Sequence, residues 1–112
     1  MIVRYKSNKM RKRCEDPKVA QKDYGPNIGN KLTQRVAELI AATSLLDIKN
    51  NPSARLHRLK GDRSTEYAVD LIHPFRLILK PMDIEDGDLN KLNTINIVRI
   101  EEVEDYHGKQ KR

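Results

Sequence analysis

The 112-residue sequence contains no tryptophan, one phenylalanine and four tyrosines, so aromatic side chains are scarce. Five aromatics leave little material for the stacking platforms on which many single-strand-binding proteins hold bases. The single cysteine, Cys14, cannot form an internal disulfide or a thiolate metal site, which favours a reducing compartment. No apolar run approaches the ~20 residues of a membrane helix, and no signal-peptide pattern follows the basic N-terminus. We therefore expect a soluble cytoplasmic protein without a membrane partner.

The motifs of many common enzymes are also missing. The sequence has no glycine-rich phosphate loop, no His-Glu-x-x-His pair and no Gly-x-Ser-x-Gly elbow. The three histidines, His57, His73 and His107, lack close metal-ligand spacing. We expect no metal and no cofactor.

Positive charge is what the sequence has in excess. Lysine and arginine number 22 against 16 acidic residues, which gives a formal net charge of +6. Residues 1–63 carry a net charge of +9 and residues 64–112 a net charge of −3. A polyanion is therefore the first partner class to consider, with its contact surface in the first part of the chain. The densest cluster, Lys9, Arg11, Lys12 and Arg13, is either a contact for RNA phosphates or a solvated helix face.

The hydrophobic pattern changes from helical spacing to strand-like alternation near residue 54. A short strand fits residues 2–5, and helices are predicted from Asn8, from Asp16-Pro17 to Tyr24-Gly25, and from Ile28 to about Thr43. Strands are predicted at 55–60, 66–71, 75–80 and 95–103, with a turn at 61–64 and an acidic loop at 81–93. Helices followed by three or four closely connected strands predict a single α+β domain over residues 1–112 with an antiparallel sheet.

Pairing of these strands would gather polar side chains on one sheet face. Arg76 is opposite in parity to Phe75, Leu77 and Leu79, so it should project from the face away from the helices. Asp105 and His107 share parity with Arg99. Imidazole, phenol, carboxylate and guanidinium groups together are the ingredients of metal-free RNA cleavage, in which one group deprotonates a ribose 2′-hydroxyl and another protonates the leaving 5′-oxygen.

Each of these residues also has a purely structural interpretation. His57 can be a packed or hydrogen-bonded histidine within a strand, and His107 a solvated group. Tyr106 can cap the core through its ring. Arg76 can form a cross-strand ion pair with Asp70 or Glu66.

Three segments in this order resemble the HigB-like branch of the RelE/ParE superfamily, the toxins of bacterial type II toxin–antitoxin pairs. They are residues 55–63 (RLHRLKGDR), residues 69–78 (VDLIHPFRLI) and the terminal Asp-Tyr-His of residues 105–107. The resemblance runs from about Lys9 to His107. It implies two N-terminal helices packed on a twisted antiparallel sheet of three to four strands.

The resemblance further implies an endoribonuclease that enters the ribosomal A site, cuts messenger RNA and is silenced by a helix-turn-helix, HigA-like antitoxin. It assigns catalytic roles to His57, Arg76, Asp105, Tyr106 and His107, and leaves open which residue is the base and which the acid. The expected phosphate- and RNA-binding residues are Lys60, Arg58, Lys9, Arg11, Lys12 and Arg13. The acidic loop at 82–93 and the tail at 108–112 depart from the pattern. A gyrase-directed toxin of the same fold and a basic RNA-binding module without activity are the alternatives.

Overall fold

The computed structural model describes residues 1–105 and shows a layer of helices packed on one face of a five-stranded sheet. The helices are α1 (Asn8–Glu15), α2 (Pro17–Tyr24), α3 (Pro26–Ala41) and α4 (Leu45–Lys49). The strands are β1 (Ile2–Tyr5), β2 (His57–Arg58), β3 (Tyr67–Asp70), β4 (Phe75–Pro81) and β5 (Ile97–Asp105). The α+β class is confirmed. The numbers implied by the resemblance, two helices and three to four strands, are wrong, since the described residues contain four α-helices and five strands.

The sheet is mixed rather than antiparallel. Its strand order is β1-β5-β4-β3-β2, and β1 runs parallel to β5, from the pair Ile2↔Ile97 to the pair Tyr5↔Ile100. The other three pairings are antiparallel. The expectation of an all-antiparallel sheet is wrong because β1 and β5 are separated by nearly the whole chain, which allows the long crossover that parallel strands need.

Local signals account for the helix ends. Ser7 caps α1, which begins at Asn8, and the Ser7 hydroxyl accepts a hydrogen bond from the Met10 amide at 3.1 Å. Asp16 caps α2 as predicted, with Pro17 in the first helical position. Gly25, at φ +85°, ends α2 and precedes α3, a backbone conformation that glycine adopts without strain. Helix α4 was not predicted, because five residues are too few to show a helical period.

The core lies between the helices and one sheet face. Leu77 and Leu79 of β4 are fully buried in it, whereas Arg76, Ile78 and Lys80 alternate onto the opposite face, as predicted. We call that opposite face, which carries Arg76 and Lys80, the open face. One part of it is covered by a small apolar cluster in which Leu59 packs with Ala68 and Ile78. None of the helices within residues 1–105 is long and apolar enough to cross a membrane.

Two connections differ from the predicted ones. The strand expected at 55–60 is only His57–Arg58, because Arg55 adopts a left-handed conformation at φ 46° and breaks the extended chain. The acidic loop does follow β4, and it is held against the rest of the fold. The Tyr67 hydroxyl donates to the Leu89 carbonyl at 2.6 Å, and Leu89 itself is buried.

Candidate functional site

A cavity of about 280 Å³ opens on the face of the sheet away from the helices. Its lining residues are His57, Arg58, Leu59, Lys60, Arg63 and Arg76. Four of these, His57, Arg58, Lys60 and Arg76, belong to the predicted site, so the structure brings them together. Arg63 was not predicted as a site residue.

A tight turn between β2 and β3 forms one wall of the cavity. Gly61 begins a single 3₁₀ turn that ends at Arg63, and its φ of +67° is a conformation that side chains with a Cβ disfavour. The Leu59 amide donates to the Glu66 carbonyl at 2.9 Å and closes the hairpin around this turn. The turn therefore places Arg63 beside β4 and β5.

Glu104 on β5 joins the two arginines at the base of the cavity. Its carboxylate accepts hydrogen bonds from Arg63 Nη1 at 2.7 Å and from Arg76 Nε at 2.9 Å, and its side chain is only 4% exposed. Arg63 also contacts Glu66 at 2.9 Å and lies 3.8 Å from Glu102. Arg76 thus pairs with Glu104, whereas Asp70 and Glu66, its expected partners, pair with Arg55 and Arg63.

These contacts shift the ionisation of the network. Burial acts to raise the pKa of Glu104, but hydrogen bonds from Arg63 and Arg76 outweigh it, so that pKa is lowered. Burial acts to lower the pKa of Arg63, and hydrogen bonds to Glu66 and Glu104 reverse that effect and raise it. Glu104 and Arg63 are therefore charged at neutral pH, and the shared carboxylate holds the guanidinium groups of Arg63 and Arg76 in fixed orientations.

The imidazole of His57 is fixed by its neighbour in the chain. His57 Nδ1 lies 2.8 Å from the Arg55 carbonyl oxygen, which can only accept, so Nδ1 carries the proton. In the neutral form of this imidazole the lone pair is therefore on Nε2. Arg55 itself is held by a bidentate ion pair with Asp70, at 2.7 and 3.2 Å. This pair supports the left-handed backbone that presents the carbonyl.

Lys60 and Arg58 differ in what they leave available to a ligand. The Lys60 side chain is exposed, and within residues 1–105 it takes part in no ion pair. The Arg58 guanidinium instead donates to the Ser64 carbonyl at 2.5 Å and to Asn90 Oδ1 at 2.7 Å. Arg58 thus ties the turn to the acidic loop.

The structure does not bring Asp105 onto the open face. A β-bulge shifts the register of β4 and β5 so that Ile78 faces Glu102 and Leu79 faces Ile100, which leaves Glu101 as an extra residue. Asp105 consequently pairs with Phe75, on the side of the helices, and Glu104 pairs with Arg76. The expected shared parity of Asp105 with Arg99 is wrong for this reason. Tyr106 and His107 lie outside the described residues.

The basic cluster of helix α1 belongs to a different surface. Helix α1 packs on the side of the sheet opposite the cavity. Arg13 pairs with Asp23 at 2.7 Å and lies over the Tyr24 ring, and Arg11 donates to Asn8 Oδ1. Lys9 and Lys12 are exposed. The two groups of predicted RNA-binding residues therefore face in different directions.

Over the described part of the chain, no three or more His, Cys, Asp or Glu side chains are arranged to hold a metal ion. No protein-family model matches the chain, and no curated protein matches its sequence.

Proposed function

We propose that the chain is the toxin of a bacterial type II toxin–antitoxin pair and cleaves messenger RNA on the ribosome. The observation that carries the proposal is the position of His57, Lys60 and Arg76 around one cavity on the sheet. The likeness of residues 55–63, 69–78 and 105–107 to HigB-like toxins adds the reaction class and the ribosome.

In the proposed reaction, His57 and His107 transfer protons, and Lys60 and Arg76 stabilise negative charge. His57 Nε2 removes the proton from the ribose 2′-hydroxyl, and the 2′-oxygen attacks the neighbouring phosphorus. The phosphorus–5′-oxygen bond then breaks, and a second acid, His107 in this proposal, protonates the 5′-oxygen. Lys60 and Arg76 stabilise the additional negative charge on the phosphorane. The products are a 2′,3′-cyclic phosphate and a free 5′-hydroxyl, and the reaction needs no metal.

Glu104 has a positioning role in this proposal. It holds the guanidinium groups of Arg63 and Arg76 beside the cavity before any substrate arrives, so little reorganisation is needed in the transition state. The same carboxylate offsets part of their positive charge. Lys60, which has no carboxylate partner in the described part of the chain, is then the main cation for phosphate attraction.

Expression of variants in bacteria tests the proposal. Wild-type protein should stop growth and translation and leave cleaved messages that primer extension detects. His57→Gln and His107→Ala should lose cleavage by about 10²-fold or more, the usual order for a lost proton-transfer group. Lys60→Gln should lose about 10²-fold through the missing charge stabilisation of the phosphorane. His73→Gln, which changes an exposed histidine outside the cavity, is the matched control and should stay toxic. Unchanged cleavage in the His57 and His107 variants would refute the mechanism.

A basic RNA-binding module without activity is the second candidate. The carboxylates around Arg63 and Arg76 favour it, because they lower the positive potential where a phosphorane would form. Salt-sensitive RNA binding without cleavage on translating ribosomes would select this function. DNA damage without message cleavage would instead select a gyrase-directed toxin. Co-purification with a small helix-turn-helix protein encoded next to the toxin gene is expected if the antitoxin proposal holds.

A further inference from the structure

Three cations stand side by side on the open face, away from the cavity. Lys80 of β4 pairs in register with Arg99 of β5, and Arg99 pairs with Arg4 of β1. Directly opposed residues of an antiparallel pair, such as Lys80 and Arg99, have Cβ atoms about 4.5–5.5 Å apart, and like charges in such positions are destabilising. This Lys80–Arg99–Arg4 row is therefore an arrangement that folding alone disfavours.

The row is only partly neutralised by carboxylates. Arg99 binds Glu101, the extra residue of the β-bulge, at 2.6 and 3.1 Å. Arg4 lies 3.6 Å from Asp83, and both side chains are about half exposed, so solvent screens this pair. Lys80 has no ion-pair partner within residues 1–105. Three cations against two paired carboxylates leave the row a net charge of +1, with Lys80 as the cation that has no ion pair within residues 1–105, and Glu66 also acts on Arg99.

The row and the cavity share one face of one strand. Arg76, Ile78 and Lys80 alternate onto the open face, so Lys80 lies four residues beyond Arg76 along β4. At ~3.3 Å per residue this separation is about 13 Å. Phosphates of a stacked nucleic-acid strand are about 3.4 Å apart along its axis, so about four of them cover this distance. A strand with one phosphate in the cavity is long enough to reach the row with its next few nucleotides.

We infer that the Lys80–Arg99–Arg4 row binds backbone phosphates of the single-stranded RNA whose scissile bond lies in the cavity. The inference rests on the proposed function and names a second contact region for the same substrate. The row has no aromatic residue, so it offers charge to the backbone and no stacking surface to the bases. It is therefore a region of sequence-independent affinity.

Salt-dependent RNA binding tests the inference. The full chain carrying His57→Gln, which prevents cleavage, is titrated against a fluorescein-labelled eight-nucleotide RNA in 50–200 mM KCl. Each phosphate contact contributes about −0.7 to the slope of log K against log salt for a single strand. Lys80→Gln and Arg4→Gln should each reduce that slope by about 0.7, which corresponds to about fivefold weaker binding at 0.1 M salt. The double variant should bind about 25-fold more weakly.

A charge-matched control separates a local contact from a general effect of net charge. Lys18→Gln with Lys22→Gln removes two exposed cations from α2, in the helical layer. This variant should keep the wild-type slope. A second readout is thermal stability: since the row places like charges together, Lys80→Gln should leave the melting temperature unchanged or raise it. If Lys80 stabilised the fold, Lys80→Gln would instead lower the melting temperature.

The possible results test RNA binding by the row separately from the proposed nuclease activity. Wild-type affinity in the row variants, or equal losses in the α2 control, overturns the inference even if messages are cleaved. Loss of antitoxin binding with RNA binding unchanged also overturns it, because the row is then a protein contact. The wild-type protein could fail to cleave RNA on ribosomes while the row variants lose RNA affinity. This result would support an RNA contact at the row and refute the proposed nuclease activity.

Discussion

Glu104→Gln should destabilise the fold by about 2–3 kcal/mol at pH 7. Breaking a buried ion pair by removing one partner costs about 3–5 kcal/mol, because a buried charge is left uncompensated. Glu104 is 4% exposed and Arg76 16% exposed, which places their pair in this class. Arg63 is 33% exposed and keeps Glu66 as a partner, so solvent and Glu66 recover part of the loss. The glutamine keeps the shape of the side chain, which isolates the effect of charge.

Urea unfolding at pH 7 measures this loss. With a denaturant slope of about 1–2 kcal/mol/M for a small protein, the midpoint should fall by about 1–3 M. Asp88→Asn is the matched control, because it also converts one ion-paired carboxylate to an amide. Asp88 and Lys91 are 39% and 64% exposed, so this pair is expected to contribute less than about 0.5 kcal/mol.

The stabilising effect of the Glu104 carboxylate should also decrease as the pH falls. The folded-state pKa of Glu104 is lowered, whereas an unfolded glutamate titrates near about 4.3. Its stabilisation is therefore fully present above about pH 4.3 and lost as the pH falls through the lower folded-state pKa. The stability gap between wild type and Glu104→Gln should shrink on acidification. A gap below about 0.5 kcal/mol at pH 7, or one that is constant down to pH 3, would refute the reasoning.

Three other predictions concern packing. Gly29→Ala should lower the free energy of unfolding by about 2–3 kcal/mol, measured in urea, because the new Cβ would lie 2.7 Å from the Gln21 amide nitrogen of the facing helix. A variant as stable as wild type would disprove that close approach. Cys14 is 5% exposed and burial raises its pKa to about 12, so a thiol reagent should label it only on unfolding, and rapid labelling of native protein would contradict its burial. Tyr67→Phe removes the hydrogen bond from the Tyr67 hydroxyl to the Leu89 carbonyl, so it should lower the free energy of unfolding by about 1–2 kcal/mol and speed amide exchange around Leu89. Unchanged exchange there would show that this hydrogen bond does not hold the acidic loop.

Helices α2 and α3 were predictable because their signals are local. An aspartate before a proline begins α2, Gly25 ends it, and apolar residues recur at helical spacing through α3. The alternation of β4 gave the correct face for Arg76 in the same way. The parallel pairing of β1 with β5 carries no such signal, since it joins residues about 95 positions apart. Such contacts depend on how the whole chain packs.

The site was predictable only as far as strand alternation holds. Arg76 reaches the cavity because β4 keeps its alternation, whereas His57 lies in the two-residue strand β2 and Lys60 lies just beyond it, before the turn that begins at Gly61. Glu104 and Arg63 were missed, because finding them requires the register between β4 and β5 and the path of the 61–63 turn. The pair Arg76↔Glu104 is the signal that would have revealed the network, and the bulge at Glu101 hides it from a simple parity count.

The same bulge explains why the charge of the sequence does not form one surface. By inserting Glu101, it turns Glu104 toward Arg76 and leaves Glu101 beside Arg99, so acidic residues of the second half lie among cations on the open face. The cations of residues 1–63 are themselves spread over α1, α2 and the open face. In the cavity, Arg63 and Arg76 are largely compensated. Counterion release should therefore come mainly from Lys60 and the Lys80–Arg99–Arg4 row, so the salt dependence of RNA binding reports on those cations more than on the groups placed at the reacting phosphate.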